Sequence, residues 1–462
     1  MTTLLNFYKT MKQKFLITTL ASMAVSLAVA QEPAETTAAN STVPSAESVK
    51  TDTAGTMKLS LKDAQNFAIE HNYTMQNASL DVQKAEAAKW QSLSTMLPQI
   101  SASADYTNML GYKMNFSGME IAMNPYVTFS AQVAVAFSGA QVIGWQISKM
   151  SVEMSEISKK KSEQDIRDQV KSLYYSALVM EETVALLDKN LENMNKLLES
   201  TQNAVKVGVS EQIDADKLQV QVLTMQTTIS STKRSLEMIY NAMRLQLGSD
   251  VNTKIELTQT IDDLLNIEVA TKLLTEDFDI NKNYDYQLLE QTTDIYKKQV
   301  SLAKWNFAPS LAVHYSYTKK KYIGDAGFDM TPPNMFGASL SIPIASSSNR
   351  WFKHKEAKIS LLEQQNTVEN TTNALLVQHS QLRYNLASAF ESYEAQKQNT
   401  EVTQRVFDKT SEKYQQGVAS SLDVTNAGTN LISAQSSYVQ ALMELVTAQI
   451  ELEKLLNNDN NQ

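Results

Sequence analysis

Lys206-Val207-Gly208-Val209-Ser210-Glu211-Gln212-Ile213-Asp214 returns 209 residues later as Gln415-Gln416-Gly417-Val418-Ala419-Ser420-Ser421-Leu422-Asp423. The Gly-Val pair, an apolar residue and the closing Asp keep their places, and Leu247 returns as Leu456 at the same offset. Upstream, Asn72-Tyr73, Pro98, Ile100 and Tyr106 recur as Asn283-Tyr284, Pro309, Leu311 and Tyr317, 211 residues on. A glycine closing a helical run suits the left-handed position that stops it, so both quoted stretches read as turns between helices. Each half thus carries a helical lead, a Pro-opened alternating segment, a very long helix, a Gly-marked turn and a return helix. A unit of about 200 residues is too long for a solenoid repeat and reads as a duplicated domain.

The 462 residues contain only 12 Gly and 8 Pro, and these cluster instead of punctuating the chain. Neither occurs from Trp145 to Val207 or from Ile344 to Gln416. Runs of that length would form helices of roughly 95 and 110 Å, several times the width of a compact domain. Helices so long must be buried against long partners to hold together.

Met11-Lys12-Gln13-Lys14 precedes an apolar stretch, Phe15 to Val29, and the small-x-small site Ala28-Val29-Ala30. This is the pattern of a secretory signal peptide over 1–30, with Met11 the better start. The stretch is shorter than the roughly 20 apolar residues a membrane anchor needs. Residues 31–57, rich in Ala, Thr, Ser, Glu and Pro, read as a disordered leader, and 458–462 as a disordered tail. Cysteine is absent, which rules out disulfides, thiol chemistry and a thioether lipid anchor. A net charge of −9 disfavours nucleic acid as a partner.

Four segments break the helical pattern. Val127, Phe129, Ala131, Val133, Val135 and Phe137 alternate with Thr128, Ser130 and Gln132. Phe336, Ala338, Leu340 and Ile342 alternate with Gly337, Ser339 and Ser341. Leu311, Val313, Tyr315 and Tyr317 do the same, and Ile100, Ala102, Ala104 and Tyr106 do so more weakly. Period-2 alternation predicts strands with one apolar and one polar face. Such strands suit either a half-buried sheet or the wall of a transmembrane barrel. Polar loops at 108–125 and 319–333 and an exported chain favour the barrel, the one way for strands to span a membrane. Four strands cannot close, since the smallest barrels have eight, so several copies would pool theirs. Trp90, Trp145, Trp305 and Trp351 lie near predicted strand ends, either as an interfacial girdle or as packing where barrel meets helices.

The return helices carry heptad stripes: Val222, Ile229, Leu236, Met243 and Leu247 in the first half. Leu431, Tyr438, Leu442, Leu445, Leu452 and Leu456 form the second. These are seams for coiled-coil packing. With Pro98-Gln99-Ile100, Pro309-Ser310-Leu311, Ile342-Pro343-Ile344, Tyr414-Gln415-Gln416-Gly417 and Leu422-Asp423-Val424 in this order, the chain resembles the TolC-type outer-membrane efflux proteins over residues 58–457. The resemblance implies a mainly α fold with a β-barrel portion. Residues 58–248 and 284–457 would be the two repeats, and 249–283 an equatorial segment between them. It further implies a homotrimer in outer membrane lipid, with a 12-stranded barrel above an α-barrel that crosses the periplasm. The partners implied are a periplasmic adaptor and an inner-membrane pump of the RND, MFS or ABC type.

The resemblance places the aperture-lining acid at Asp423 and a second family acid at Asn426, which carries no charge. It suggests a closing hydrogen bond between Tyr414 and Asp214, while an Arg of some relatives is here Ala419, so the closing network would be weaker or use other groups such as Gln416 or Ser420. The tip turns, with Gly208, Val209, Gly417 and Val418, would receive the adaptor. Read from the residues alone, Asp214 and Asp423 are equally well explained as charges favoured at helix N-termini. No phosphate-binding loop appears, and His71, His314, His354 and His379 lack metal-ligand spacing. Hence neither enzyme, cofactor nor metal is expected. The competing reading is a secreted, self-assembling filament subunit, which the signal peptide and the amphipathic strands oppose.

Overall fold

The computed structural model describes residues 56–116, 118–264, 267–323, 332–345 and 348–457. The expected signal peptide, almost all of the leader and the tail lie outside the described residues.

The duplicated order is present element by element. In the first half α1 (Leu61–His71) and α2 (Tyr73–Ser94) lead into β2 (Gln99–Thr107) and β5 (Tyr126–Phe137). Then follow α3 (Gly139–Lys206) and α4 (Gln212–Leu247). In the second half α7 (Tyr284–Trp305) leads into β7 (Ser310–Tyr322), β8 (Asn334–Ser341), α8 (Asn349–Gln415) and α9 (Ser421–Leu456). The long helices α3 and α8 have 68 and 67 residues, hence about 100 Å each. The return helices α4 and α9 have 36 residues each and climb only about half that height. The 22-residue helices α2 and α7 continue beside the upper halves of α3 and α8.

Asn72 and Asn283, the first pair in the repeat, show what the duplication preserves. Each caps the helix that follows: Asn72 Oδ1 accepts from the Thr74 N–H at 2.7 Å, and Asn283 Oδ1 from the Asp285 N–H at 3.0 Å. Each also donates to the end of its own return helix, Asn72 to the Gln246 carbonyl and Asn283 to the Leu455 carbonyl, again 209 residues apart. Both asparagines are buried, so these bonds satisfy groups that water does not reach.

The four predicted strands form one antiparallel sheet in the order β2-β5-β7-β8. Its register aligns Ile100, Val133, Tyr315 and Phe336 on one face. Ser101, Gln132, Ser316 and Met335 are the next row, on the other face. Both hairpins open toward the helices and turn at the far end. A Cβ on Gly139 would lie 2.0 Å from the Trp305 ring, so Trp305 packs where sheet meets helix. Trp90 and Trp351 are exposed at the same level.

Four pieces differ from expectation. Lys319–Tyr322, read as the start of the 319–333 loop, continue β7 and pair with Tyr126–Phe129. Thr56 and Met57, assigned to the leader, belong to β1 (Thr56–Leu59), paired in parallel with β6 (Lys254–Leu257). Met57 and Leu59 are buried there, too short an alternation to stand out. A small hairpin, β3 (Lys113–Phe116) with β4 (Met119–Ala122), lies in the predicted 108–125 loop. The equatorial segment holds α5 (Ile261–Leu264), α6 (Ile267–Thr275) and a 3₁₀ turn at Ile280–Lys282. Ile261 and Leu273 pack into the largest core, with Leu382 and Leu386 of α8 and Leu442, Leu445 and Leu452 of α9. The heptad stripes are buried as read, with Leu236 and Tyr438 only partly so. Among the described residues no helix is long and apolar enough to cross a membrane.

Replacing Asn72 with Ala removes a helix cap and leaves the Gln246 carbonyl without its partner. A loss of about 1–3 kcal/mol is expected, seen as a lower melting temperature in detergent. Asn283→Ala should behave alike, and an unchanged melt in both would separate the repeat from its stabilising role.

Candidate functional site: the hairpin tips

At the end farthest from the sheet, both long helices stop in the same way. Gly208 lies at φ 79° and Gly417 at φ 72°, left-handed conformations that a Cβ disfavours. The Val209 N–H donates to the Ala204 carbonyl at 2.9 Å and the Gly208 N–H to Val205 at 3.0 Å. In the second turn Val418 donates to Lys413 at 2.9 Å and Gly417 to Tyr414 at 2.9 Å. This is the paired 6→1 and 5→2 bonding that satisfies the last helix carbonyls. The expected turns are therefore identical in backbone design.

The N-terminal ends of the return helices are not identical, and one residue makes the difference. Asp214 and Asp423 both occupy the third helical position, where a carboxylate can reach back to the cap residue. In α9 the cap is Ser420. Its backbone N–H and hydroxyl meet Asp423 Oδ2 at 2.9 and 2.7 Å, and the Asp423 N–H reaches the Ser420 hydroxyl at 3.2 Å. These bonds hold the Asp423 carboxyl below the usual carboxylate range. In α4 the cap is Glu211, which makes no side-chain cap bond. Asp214 turns outward instead and accepts a short hydrogen bond from the hydroxyl of Ser421, on the return helix of the other half. Ser421 first, then Ser210 at 3.3 Å and Lys217 at 3.7 Å, lower the Asp214 pKa.

The structure does not pair Tyr414 with Asp214. The Tyr414 hydroxyl meets the Thr201 hydroxyl of α3 at 2.9 Å. Tyr414 packs against a core drawn from all four long helices, Met194 and Leu198 of α3, Leu218 and Val222 of α4, Phe407 of α8 and Val424 of α9, and within it the hydroxyl meets α3. Two bonds therefore tie the halves at the tip, Thr201 to Tyr414 and Asp214 to Ser421. Among the described residues Gln416 ends α8 and Ser420 bonds within its own cap. Thr201 and Ser421 escaped sequence reading. The available signal was the mismatch of Ser420 with Glu211, since it frees one of two equivalent carboxylates.

Asp423 and Asn426 are both exposed and lie three residues apart, on one face of α9. The turns also expose apolar side chains: Val209 is 81% and Val418 74% accessible, with Val207, Ile213 and Leu422 also exposed. Tip side chains thus fall into three groups: two bridges, one outward acid and a bare apolar crown.

Comparison with known proteins gives this geometry a setting. A family model described as outer membrane efflux protein matches residues 66–249 and 281–458, one match per repeat. The outer membrane protein TolC of Escherichia coli K12 is 20% identical over 392 residues, 80% of this chain and 76% of that protein. Among solved structures, CusC superposes with a TM-score of 0.72 at 15% identity, covering 86% of this chain and 91% of that one. The outer membrane protein VceC of Vibrio cholerae gives 0.71 at 15%, with 86% and 95% covered.

Breaking either bridge should loosen the tip. A neutral bond such as Thr201–Tyr414 contributes about 0.5–1.5 kcal/mol, and one to a carboxylate such as Asp214–Ser421 about 1.5–3 kcal/mol. Ser421→Ala and Thr201→Val are expected to raise single-channel conductance in planar bilayers, and together more than singly. The depressed Asp214 pKa sets a pH window. The bridge contributes fully above about pH 4, the unfolded carboxyl value, and weakens as pH falls through the lower folded value. Conductance should therefore rise in acid below about pH 4, and Ser421→Ala should blunt that rise.

Proposed function

Since this chain belongs to the outer membrane efflux protein family, we propose that it acts as the trimeric exit duct of a tripartite assembly. It is an outer-membrane efflux channel, with its long helices extending into the periplasm. The observation that carries the trimer is the open sheet. Four strands, amphipathic and in register, leave β2 and β8 as edges, with one apolar face exposed. Inside hydrocarbon an unpaired strand edge costs several kcal/mol for each unsatisfied backbone group, so the edges must pair with other copies. Three copies give 12 strands, within the range of closed membrane barrels. The polar rows of the sheet then face the lumen and the apolar rows face lipid.

The tips would converge at the periplasmic end. Asp423 there serves its helix as a cap and, repeated three times, makes an acidic mouth that concentrates cations. Asn426 widens that mouth with a polar, uncharged ring. The exposed crown at Val209 and Val418, set by Gly208 and Gly417, is the surface on which a periplasmic adaptor docks. Docking that strains the Thr201–Tyr414 and Asp214–Ser421 bridges opens the aperture. An inner-membrane pump supplies the driving force, and the duct conducts passively.

Light scattering of detergent-extracted protein should give three times the single-chain mass. A folded monomer, or a protein that stays soluble without detergent, would overturn the duct and favour a filament subunit. Asp423→Asn keeps an acceptor oxygen for Ser420 while removing the charge. It should reduce cation preference, read as a smaller reversal potential under a salt gradient. An unchanged potential would confine Asp423 to its capping role.

A further inference from the structure

Asp165, Asp168 and Lys171 follow one another at a spacing of three along α3, on the side that meets the last turn of α9 from the other half. There Lys171 pairs with Glu453 at 2.5 Å, and Lys454 pairs with Asp165 at 2.5 Å. The second oxygen of Glu453 accepts from the Gln449 amide at 2.9 Å. Three carboxyls therefore face two ammonium groups, and each ammonium is already held by one of the other two acids. Asp168 is the acid left over. Its Oδ2 is shut off from solvent and has no hydrogen-bond partner among the described residues.

The other elements packed here bring Asp168 no compensating cation among the described residues. Helix α7 contributes Asp285, a further acid, which Lys161 of α3 holds and which faces Lys454. Helix α1 meets this turn of α3 with uncharged side chains. Gln65 donates to the Arg167 carbonyl at 3.1 Å, and Asn66 Oδ1 accepts from the Arg167 guanidinium at 3.5 Å. Arg167 itself pairs with Glu163, one turn back on its own helix. The last carbonyls of α9 add the negative end of a helix dipole. Burial first, then Glu453 and Asp165, push the Asp168 carboxyl up to about 7, against the pull of Lys454 and Lys171.

We propose that Asp168 is a proton-binding site that clamps the two halves together: with its proton it lets α3 pack on the end of α9, and without it the two helices loosen. The neutral acid leaves two ammonium groups matched by two carboxylates. Loss of the proton adds a third anion at an oxygen closed to solvent, which only separation of the helices relieves. The same turn of α9 joins other parts of the chain. Gln164 of α3 donates to the Lys454 carbonyl at 3.0 Å, and Asn283 donates to the Leu455 carbonyl at 3.4 Å. Asp168 lies about 57 Å along α3 from Lys206, so the clamp is remote from the tip bridges. Its window also differs from that of Asp214. An unfolded carboxyl titrates at about 4. Between that value and about 7 the folded chain keeps a proton that the unfolded chain has lost. The contribution of Asp168 to stability therefore falls as pH rises through this window and levels off above it.

Infrared titration and thermal melting of the full-length protein in a maltoside detergent test this. Wild type should show a carboxylic acid C=O band that vanishes with a midpoint near neutrality, where ordinary carboxyls are already ionised. D168N should lack that band. E453Q removes one anion and frees Lys171 for Asp168, so the midpoint should fall by about 1–3 in pH. D168N, which mimics the protonated acid, should melt with wild type near pH 4, about the unfolded carboxyl value. Above that it should melt higher, by a gap that widens up to about pH 7. A wild type without a band near neutrality, a band unmoved in D168N, or a melting gap independent of pH would each overturn the clamp. If D168N fails to fold, the E453Q midpoint decides: a fall supports the site, and no change overturns it.

Discussion

A backbone N–H or C=O inside hydrocarbon has no water to turn to, and this constraint governs the rest of the molecule. The sheet meets it along three strand pairs and leaves it unmet at the edges of β2 and β8. Among the described residues nothing covers the continuous apolar face across all four strands. Both facts suit the proposed trimer, with further copies at the edges and lipid on the apolar face. Once three copies encircle an axis, long helices leaving the same end of each sheet must run side by side. In that arrangement neighbours would add to the burial that α3 and α8, each about 100 Å long, already have within the chain.

Duplication gives this chain two near-copies of one hairpin, and the tip shows how a small difference divides their labour. The backbone of the two turns is the same, down to the glycine and both bonds of each C-terminal motif. A serine cap keeps Asp423 within its own helix. A glutamate in the matching place leaves Asp214 free to reach the other half, where Ser421 meets it. The contact that joins the halves therefore arises from the failure of a local one. Asp423 still presents a carboxylate outward because a capping bond satisfies only one of its oxygens.

Features legible in the sequence were those with a period or a fixed offset. The repeat, the alternation in β5 and β7, the heptad stripes and the glycine turns all depend on neighbours in the chain, and each appears where it was read. What escaped depends on partners far away. Thr56–Leu59 pairs with Lys254–Leu257 across some two hundred residues, in strands of four residues whose alternation is too brief to register. Tyr414 was assigned to Asp214, yet its neighbour is decided by how α8 rotates against α3, and helical periodicity does not encode that rotation. Thr201 is one of many threonines on these helices, most of which bond the carbonyl four residues back. It does so as well, at 2.9 Å from Leu197, and only the fold adds the tyrosine.

For the proposed gate, the valines at the turns matter most. In the C-terminal motif the residue after the glycine commonly packs back on the helix three positions before its end. Those positions here are Ala204 and Lys413, which offer Val209 and Val418 little to rest on. Both valines stay bare, although burying each would contribute about 1.5–3 kcal/mol. The polar bridges beneath contribute about 0.5–1.5 kcal/mol for Thr201–Tyr414 and about 1.5–3 kcal/mol for Asp214–Ser421, the latter being a bond to a carboxylate. In the proposed docking, covering the crown would therefore release free energy of the same order as breaking the bridges would cost. A tip that buried its own valines would be more stable, and it would have nothing left with which to be opened.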